Sequence, residues 1–277
     1  MRKPKHIPSP VQARQGVFLW GLVQEHLECE TLVDIERRED VGMKANPKLI
    51  DMHNHTVWSD GANSAVELIE DAIEKNIKIL GFTDHFNTSK CPSISPEQLS
   101  LYIQEIVSLK EKYKHKISVL IGIEINSILF PMSFENLSFN QFEGIDFVLI
   151  ECIDLLSDKF RLKDLEKYLN RFKCKVGLAH TDLFRLGTKH EVEGGIGYVV
   201  DFMKRNNIFW DINSNSAYEC FDNIIYHQNQ EEITELFEKL IKNQIEITVG
   251  SDKHSIDDIE LGRFITANEL AGYINSK

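Results

Sequence analysis

The chain has 277 residues, 42% hydrophobic and 27% charged, a composition that fits a folded domain with a core and excludes a disordered or fibrous chain. Lys and Arg number 31 against 43 Asp and Glu, and the formal net charge of −12 argues against broad binding to nucleic acid or to an acidic membrane surface. Five scattered cysteines (Cys29, Cys91, Cys152, Cys174 and Cys220), odd in number and without a C-x-x-C pair, suggest a reduced intracellular protein.

Residues 1 to 46 read as an N-terminal extension, partly helical. Pro4, Pro8 and Pro10 lie in a basic lead, followed by a helix expected near 17 to 27 and the charged run DIERRED. The apolar run GVFLWGLV is about half a membrane-spanning length, so neither a signal peptide nor a transmembrane helix is expected, and the expected location is cytoplasmic. Residues 47 to 277 read as one domain that alternates β-like apolar runs with helix-like segments. The runs are KLIDMH (48 to 53), IKILGFTDH (77 to 85), ISVLIGIEI (117 to 125), IDFVLIE (145 to 151), CKVGLAH (174 to 180), NIFWDIN (207 to 213) and IEITVGSD (245 to 252). Helices are predicted near 63 to 75, 96 to 113, 162 to 171, 195 to 206, 229 to 242 and 265 to 275, the second opening on a capping box at Ser95-Pro96-Glu97-Gln98. Seven apolar runs joined by helical crossovers imply an α/β fold with a parallel sheet covered on both faces. A closed, barrel-like arrangement is the first expectation and an open doubly wound sheet the second.

Each run turns polar or ionisable at its end. The endings supply His53 and His55, Asp84 and His85, Glu124, Glu151, His180 and Asp182, Asn213, then Asp252 and His254. Parallel strands open their C-terminal ends on one face, so these residues should meet in one pocket. His53 and His55 in DMHNHTVWSDG are two apart and share a face of an extended strand. Five histidines (53, 55, 85, 180 and 254) with Asp60, Asp84, Glu124 and Asp252 make an imidazole and carboxylate set suited to zinc, manganese or iron. One ion needs about four to six ligands, so there is room for two ions or more, with Glu124 the candidate bridging carboxylate.

From about 48 to 265 the chain resembles the polymerase and histidinol phosphatase (PHP) superfamily of metal-dependent phosphoesterases. The elements are DMHNHTVWSDG, GFTDH, GIE, LAHTD and GSDKH, five in the family's order, each at a strand end. The resemblance implies an irregular seven-stranded (β/α)7 TIM-like barrel over residues 47 to 277, with a cluster of two or three divalent ions (Zn, Mn or Fe) at its C-terminal face. Carried over position by position, His53, His55, His85, Glu124, His180, Asp252 and His254 match metal ligands, with Asp60 an additional one. The family usually shows a histidine after the fourth strand, where this chain reads DFVLIECIDLL and has Ile153. Either Glu151 or Asp154 substitutes, or the site holds two ions, or full activity is lost.

The implied reaction is hydrolysis of a small phosphate monoester by a metal-activated hydroxide, in the manner of a histidinol phosphatase. Asp60 or Asp252 would protonate the leaving oxygen, and Arg185, Lys253 and Arg263 would bind the phosphate. The alternatives are a nucleotide or oligonucleotide phosphoesterase, for which nucleic acid would enter as a short substrate, and a metal-binding PHP module with reduced or lost catalysis. Asp84 reads as a turn cap or a support for its neighbour, Trp58 as packing, and Asn213 equally as a pocket residue or an Asx turn. No role is assigned to His6, His26, His115, His190 or His227.

Overall fold

The computed structural model describes residues 48–277 apart from 129, 136, 218 and 226–228. The expected extension over 1 to 46, with its helix near 17 to 27, lies outside the described residues, as do Cys29, His6, His26, His227 and the side chain of Cys220.

Seven strands follow one another in a single parallel sheet: β1 (Ile50–Asp51), β2 (Ile79–Phe82), β3 (Ser118–Asn126), β4 (Phe147–Glu151), β5 (Lys175–Ala179), β6 (Ile208–Asn213) and β7 (Ile247–Gly250). Each pairs with the next in sequence. A doubly wound sheet would reverse at a switch point; here the two ends meet instead. Met52 N donates to Val249 O at 2.7 Å and Asp252 N to His53 O at 2.9 Å, and a parallel bridge joins Asn54 to Lys253. The expected seven-stranded α/β barrel is what the chain forms.

The period-two alternation of a strand connects barrel filling to the site. Phe147 and Leu149 share a face of β4 with Glu151, Leu120 and Gly122 share one of β3 with Glu124, and Phe209 shares one of β6 with Asp211 and Asn213. Met52, Phe147, Leu149, Ala179 and Phe209 pack together as a small apolar cluster, separate from the larger core of buried side chains. The same face is thus apolar lower down and polar at the C-terminal end.

The helices are α1 (Ala65–Glu74), α2 (Leu99–Tyr113), α3 (Met132–Glu135), α4 (Leu162–Leu169), α5 (Leu183–Lys189), α6 (Gly195–Arg205), α7 (Glu219–Ile225), α8 (Gln230–Asn243) and α9 (Leu261–Asn275). A full capping box occurs at α1, where Ser64 Oγ accepts from Glu67 N and the Glu67 carboxylate accepts from Ser64 N. At the predicted box, Gln98 Oε1 does accept from Ser95 N at 3.0 Å, but 96–98 form a turn and α2 begins at Leu99. Helix α5, absent from the sequence reading, is capped by Asp182, whose Oδ1 accepts from Phe184 N and Arg185 N. Among the described residues no helix is long and apolar enough to cross a membrane, and Cys91, Cys152 and Cys174 are free thiols.

Candidate metal centre

The strand ends bring the expected side chains together. Glu124, fully buried near the end of β3, lies at the centre. Its Oε1 is 3.4 Å from His53 Nε2 and 3.3 Å from His180 Nε2, and its Oε2 is 3.6 Å from His55 Nε2 and 3.1 Å from His85 Nδ1. On one side Asp252 Oδ1 approaches His53 Nε2 at 3.4 Å and His55 Nε2 at 3.1 Å, with Oδ2 3.8 Å from His180. On the other, Asp60 reaches back from the loop after β1 to His55 at 3.7 Å, His85 at 3.6 Å and His254 at 3.4 Å. The His55 ring stacks on that of His254, with centroids 4.3 Å apart. Four overlapping groups have metal-ligand spacing: His55, Asp60, His85 and His254; His53, His55 and Glu124; His53, His180 and Asp252; and Glu124, Glu151 and His180.

Backbone turns aim these groups. Cys152, His180 and Asp252, just past β4, β5 and β7, have φ of 58°, 49° and 49°, left-handed values that cost a non-glycine residue about 1–3 kcal/mol and are typical of functional sites. Gly250 has no room for a side chain, because a Cβ there would lie 2.3 Å from His53 Cβ and 2.6 Å from Asp211 Oδ2.

A ring of polar partners holds these side chains in place. Asp211, not singled out by the sequence reading, places Oδ2 3.3 Å from His53 Nδ1, and its Oδ1 accepts from Thr248 Oγ1 at 2.7 Å. Asn213 takes both roles weighed for it: its Nδ2 is 2.8 Å from His180 Nδ1, and its Oδ1 accepts from Asn215 N at 2.8 Å. Asp84 accepts from Thr56 N at 2.7 Å and Ser59 Oγ at 2.7 Å, bracing the loop that carries His55 and Asp60. Asp51 accepts from Ser251 N and Oγ and so ties β1 to the end of β7. Trp58 packs edge-on to Tyr102 and donates to Glu105.

Burial alone would raise every carboxyl in the cluster, and the imidazoles overturn this for three. His53 and His180 hold Glu124 well below the usual carboxylate range, His180, His53 and His55 do the same for Asp252, and His254, His85 and His55 bring Asp60 down to about 2. In return, against their own burial, His53 is raised by Glu124 and Asp252, His180 by Asp252 and Glu124, and His254, by Asp60 and Asp252, to about 9. His85 goes the other way, to about 4, because burial outweighs Glu124. Glu151 is pushed up by burial and by the neighbouring Glu124 charge. Asp60 and Asp252 thus stand as anionic carboxylates facing the imidazoles of the cluster.

The three basic residues expected at the phosphate are dispersed. Lys253 is fully buried, with Nζ 3.7 Å from Asp51 Oδ2 and 3.3 Å from Asp71 Oδ2, and is a structural cation rather than a clamp. Arg263 donates from Nε to Ser214 O and pairs through Nη1 with Asp222, tying α9 to the segment after β6. Arg185, partly exposed at the start of α5, pairs with Asp154 at 3.2 Å. A cation the sequence reading missed, Lys90 in the loop after β2, brings its Nζ to 3.9 Å from Glu151 Oε1. Ile153 is fully buried within the large core cluster.

The donor set fits a divalent cation. Both oxygens of Glu124, Nε2 of His53, Nδ1 of His55 and His85, Oδ1 of Asp60 and Oδ2 of Asp252 are buried without a hydrogen bond of acceptable geometry, whereas buried polar atoms are ordinarily satisfied.

Residues 51–250 match the PHP domain family, and the chain belongs to that family, a class of metal-dependent phosphoesterases. Over 218 residues it is 23% identical to the DNA polymerase/3'-5' exonuclease PolX of Bacillus subtilis (strain 168). The match covers 76% of this chain and 36% of that protein, so the chain spans about a third of the length of this curated relative. In fold it is similar to the histidinol phosphate phosphatase of Lactococcus lactis subsp. lactis Il1403, whose crystal structure is a complex with Zn, L-histidinol and phosphate. The TM-score is 0.58 at 18% identity, covering 82% of this chain and 94% of that one.

Proposed function

We propose that the chain hydrolyses a small phosphate monoester at this cluster, with a reaction resembling that of a histidinol phosphatase. The observation that carries the reading is Glu124, whose two unbonded, fully buried oxygens are approached by the four imidazoles of His53, His55, His85 and His180. His53, His55, His85, Glu124, His180, Asp252, His254 and Asp60 would hold two divalent cations of the Zn, Mn or Fe type, Glu124 being shared. Such ions supply Lewis acidity, lowering the pKa of a coordinated water from about 16 toward about 7 and neutralising phosphoryl charge. The chain's own part is placement: Asp211 and Asn213 hold the rings of His53 and His180, and Asp84 braces the loop of His55 and Asp60. Lys90, on the loop after β2, and Arg185, in the first turn of α5, are the cations that would meet a phosphate from the solvent side.

The complex of the Lactococcus lactis protein with Zn, L-histidinol and phosphate supports a monoester of this size. The likeness to the Bacillus subtilis polymerase/exonuclease favours a second reading, a nucleotide or short oligonucleotide phosphoesterase. A module that has lost catalysis accords less well with a set in which every other expected ligand converges. Metal content of protein purified without chelator, with hydrolysis of p-nitrophenyl phosphate and of its bis ester in added Mn2+, tests these readings. Monoester turnover supports the first and preferential diester turnover the second, while bound metal with no turnover points to the third. Absence of both metal and turnover overturns the enzyme reading.

A further inference from the structure

Where the PHP resemblance implies a histidine after the fourth strand, this chain turns Ile153 into the core. The reason is local. Cys152, at φ 58°, reverses the chain directly after β4, its N–H is donated to Ala179 O at 3.0 Å, and Ile153–Leu155 form a tight 3₁₀ turn. A side chain at 153 is thereby committed to packing, and Asp154, the other candidate substitute, is held by Arg185. The polar side chain that β4 does deliver to the cluster is Glu151, the last residue of the strand and on the same face as Phe147 and Leu149.

Glu151 is 2% exposed, and a carboxylate oxygen of it lies within 4.8 Å of ligand atoms of Glu124 and His180. Asn126, one strand away, donates to Glu151 Oε1, and Ser127 Oγ donates to its carbonyl at 2.6 Å. The carboxylate is thus built into place. Two carboxylates this close, both buried, call for a cation between them, and the Glu124 oxygens have no hydrogen bond of acceptable geometry to offset their burial. The exposed Lys90 ammonium meets Glu151 from the solvent side at 3.9 Å and, among the described residues, pairs with no other carboxylate of the cluster.

Resting on the metal-cluster reading above, we propose that Glu151 replaces the missing imidazole and completes a third cation site with Glu124 and His180, and that this site takes a hard divalent ion, Mn2+ or Mg2+, in preference to Zn2+. Exchanging imidazole for carboxylate leaves one nitrogen and two anionic oxygens. Carboxylate donors suit Mg2+ and Mn2+, whereas imidazole suits Zn2+. The cluster is then mixed, with nitrogen-rich positions around His53, His55 and His85 and one oxygen-rich position at Glu151.

The test is metal stoichiometry on the full chain, stripped with chelator and reloaded with Mn2+ or Zn2+, read by Mn2+ electron paramagnetic resonance titration and by elemental analysis after desalting. Wild type is expected to hold one more Mn2+ per chain than Glu151→Gln, which keeps the remaining ions, or to bind that Mn2+ about tenfold or more tightly. Glu151→His is expected to retain the ion while shifting its preference toward Zn2+. Unfolding midpoints of the stripped variants near that of wild type establish that they fold. Equal Mn2+ stoichiometry and affinity in wild type and Glu151→Gln overturns the proposal. So does a wild type saturating at two Mn2+ in which Lys90→Ala admits a third, since the ammonium then serves as the cation. Two ions in every variant sink this inference and leave the two-ion reading standing; no metal in any of them sinks both.

Discussion

His53 Nδ1 lies 3.3 Å from Asp211 Oδ2, and the other oxygen of Asp211 accepts from Thr248 Oγ1 at 2.7 Å. This chain of contacts runs from β7 through β6 to the first histidine of the cluster and leaves His53 Nε2 facing Glu124 and Asp252. Carboxylates behind ligating imidazoles fix ring orientation and raise basicity, and their loss typically weakens metal binding by about 10–100-fold. Asp211→Asn is therefore expected to lower metal affinity within that range while the stripped protein unfolds near the wild-type midpoint. Competition against a chelating dye measures it, and unchanged affinity would reduce Asp211 to a buried hydrogen-bonding group.

Gly250 makes a second, steric prediction. A methyl group there would overlap His53 Cβ, which is fixed to the backbone and cannot swing aside, and would press on Asp211 Oδ2, the atom that faces His53 Nδ1. Gly250→Ala should force His53 out of register with Glu124. The expected cost is about 1–3 kcal/mol of stability, as for overpacking elsewhere, together with a loss of bound metal larger than that of Asp211→Asn. Denaturant unfolding and elemental analysis read the two effects separately; a variant with full metal content contradicts the packing described.

The barrel and most of the cluster were legible in the sequence because strand polarity is a one-dimensional property. Each apolar run ends in a polar or ionisable residue, and parallel order gathers those ends whatever the loops do. What stayed hidden depends on alternation and on reach. Asp211 sits inside an apolar run and reads as an interruption, although period two puts it on the inner face with Asn213. Lys253, between Asp252 and His254 in sequence, was expected beside the phosphate; the left-handed turn at Asp252 separates it from its neighbours and sends it down to Asp51 and Asp71. Lys90 belongs to a loop whose path no periodicity encodes. Helix α5 is too short for an amphipathic pattern, and its signal was the cap at Asp182.

Lys253 follows directly. Asp51 is fully buried and Lys253 is one of its few compensations, the others being the hydroxyl and amide of Ser251. Removing one partner of a buried pair leaves an uncompensated charge, at a typical cost of about 3–5 kcal/mol. Lys253→Met should be destabilised on that scale by urea unfolding, and the double variant Lys253→Met with Asp51→Asn should recover part of it. A phosphate-clamp role predicts the reverse pattern, a raised KM for p-nitrophenyl phosphate with stability little changed.

Asp154 gives a pH dependence of defined sign. Burial pushes its carboxyl up from 3.8 to about 6, Arg185 offsets this only in part, and Asp182 adds to it. The folded state then holds the Asp154 proton more tightly than the unfolded chain does. Its contribution to stability is present in full below pH 3.8 and is lost as pH rises through about 6. The rise corresponds to at most about 3 kcal/mol. Other carboxyls, Asp60 among them, titrate with the opposite sign, so the effect is isolated by difference. Asparagine imitates the protonated form at every pH. The stability of Asp154→Asn minus that of wild type should therefore climb between about pH 4 and pH 6.5 and level off above. A difference that is flat, or that falls with pH, would mean that the ion pair with Arg185 outweighs burial and that the charged form is the one the fold prefers.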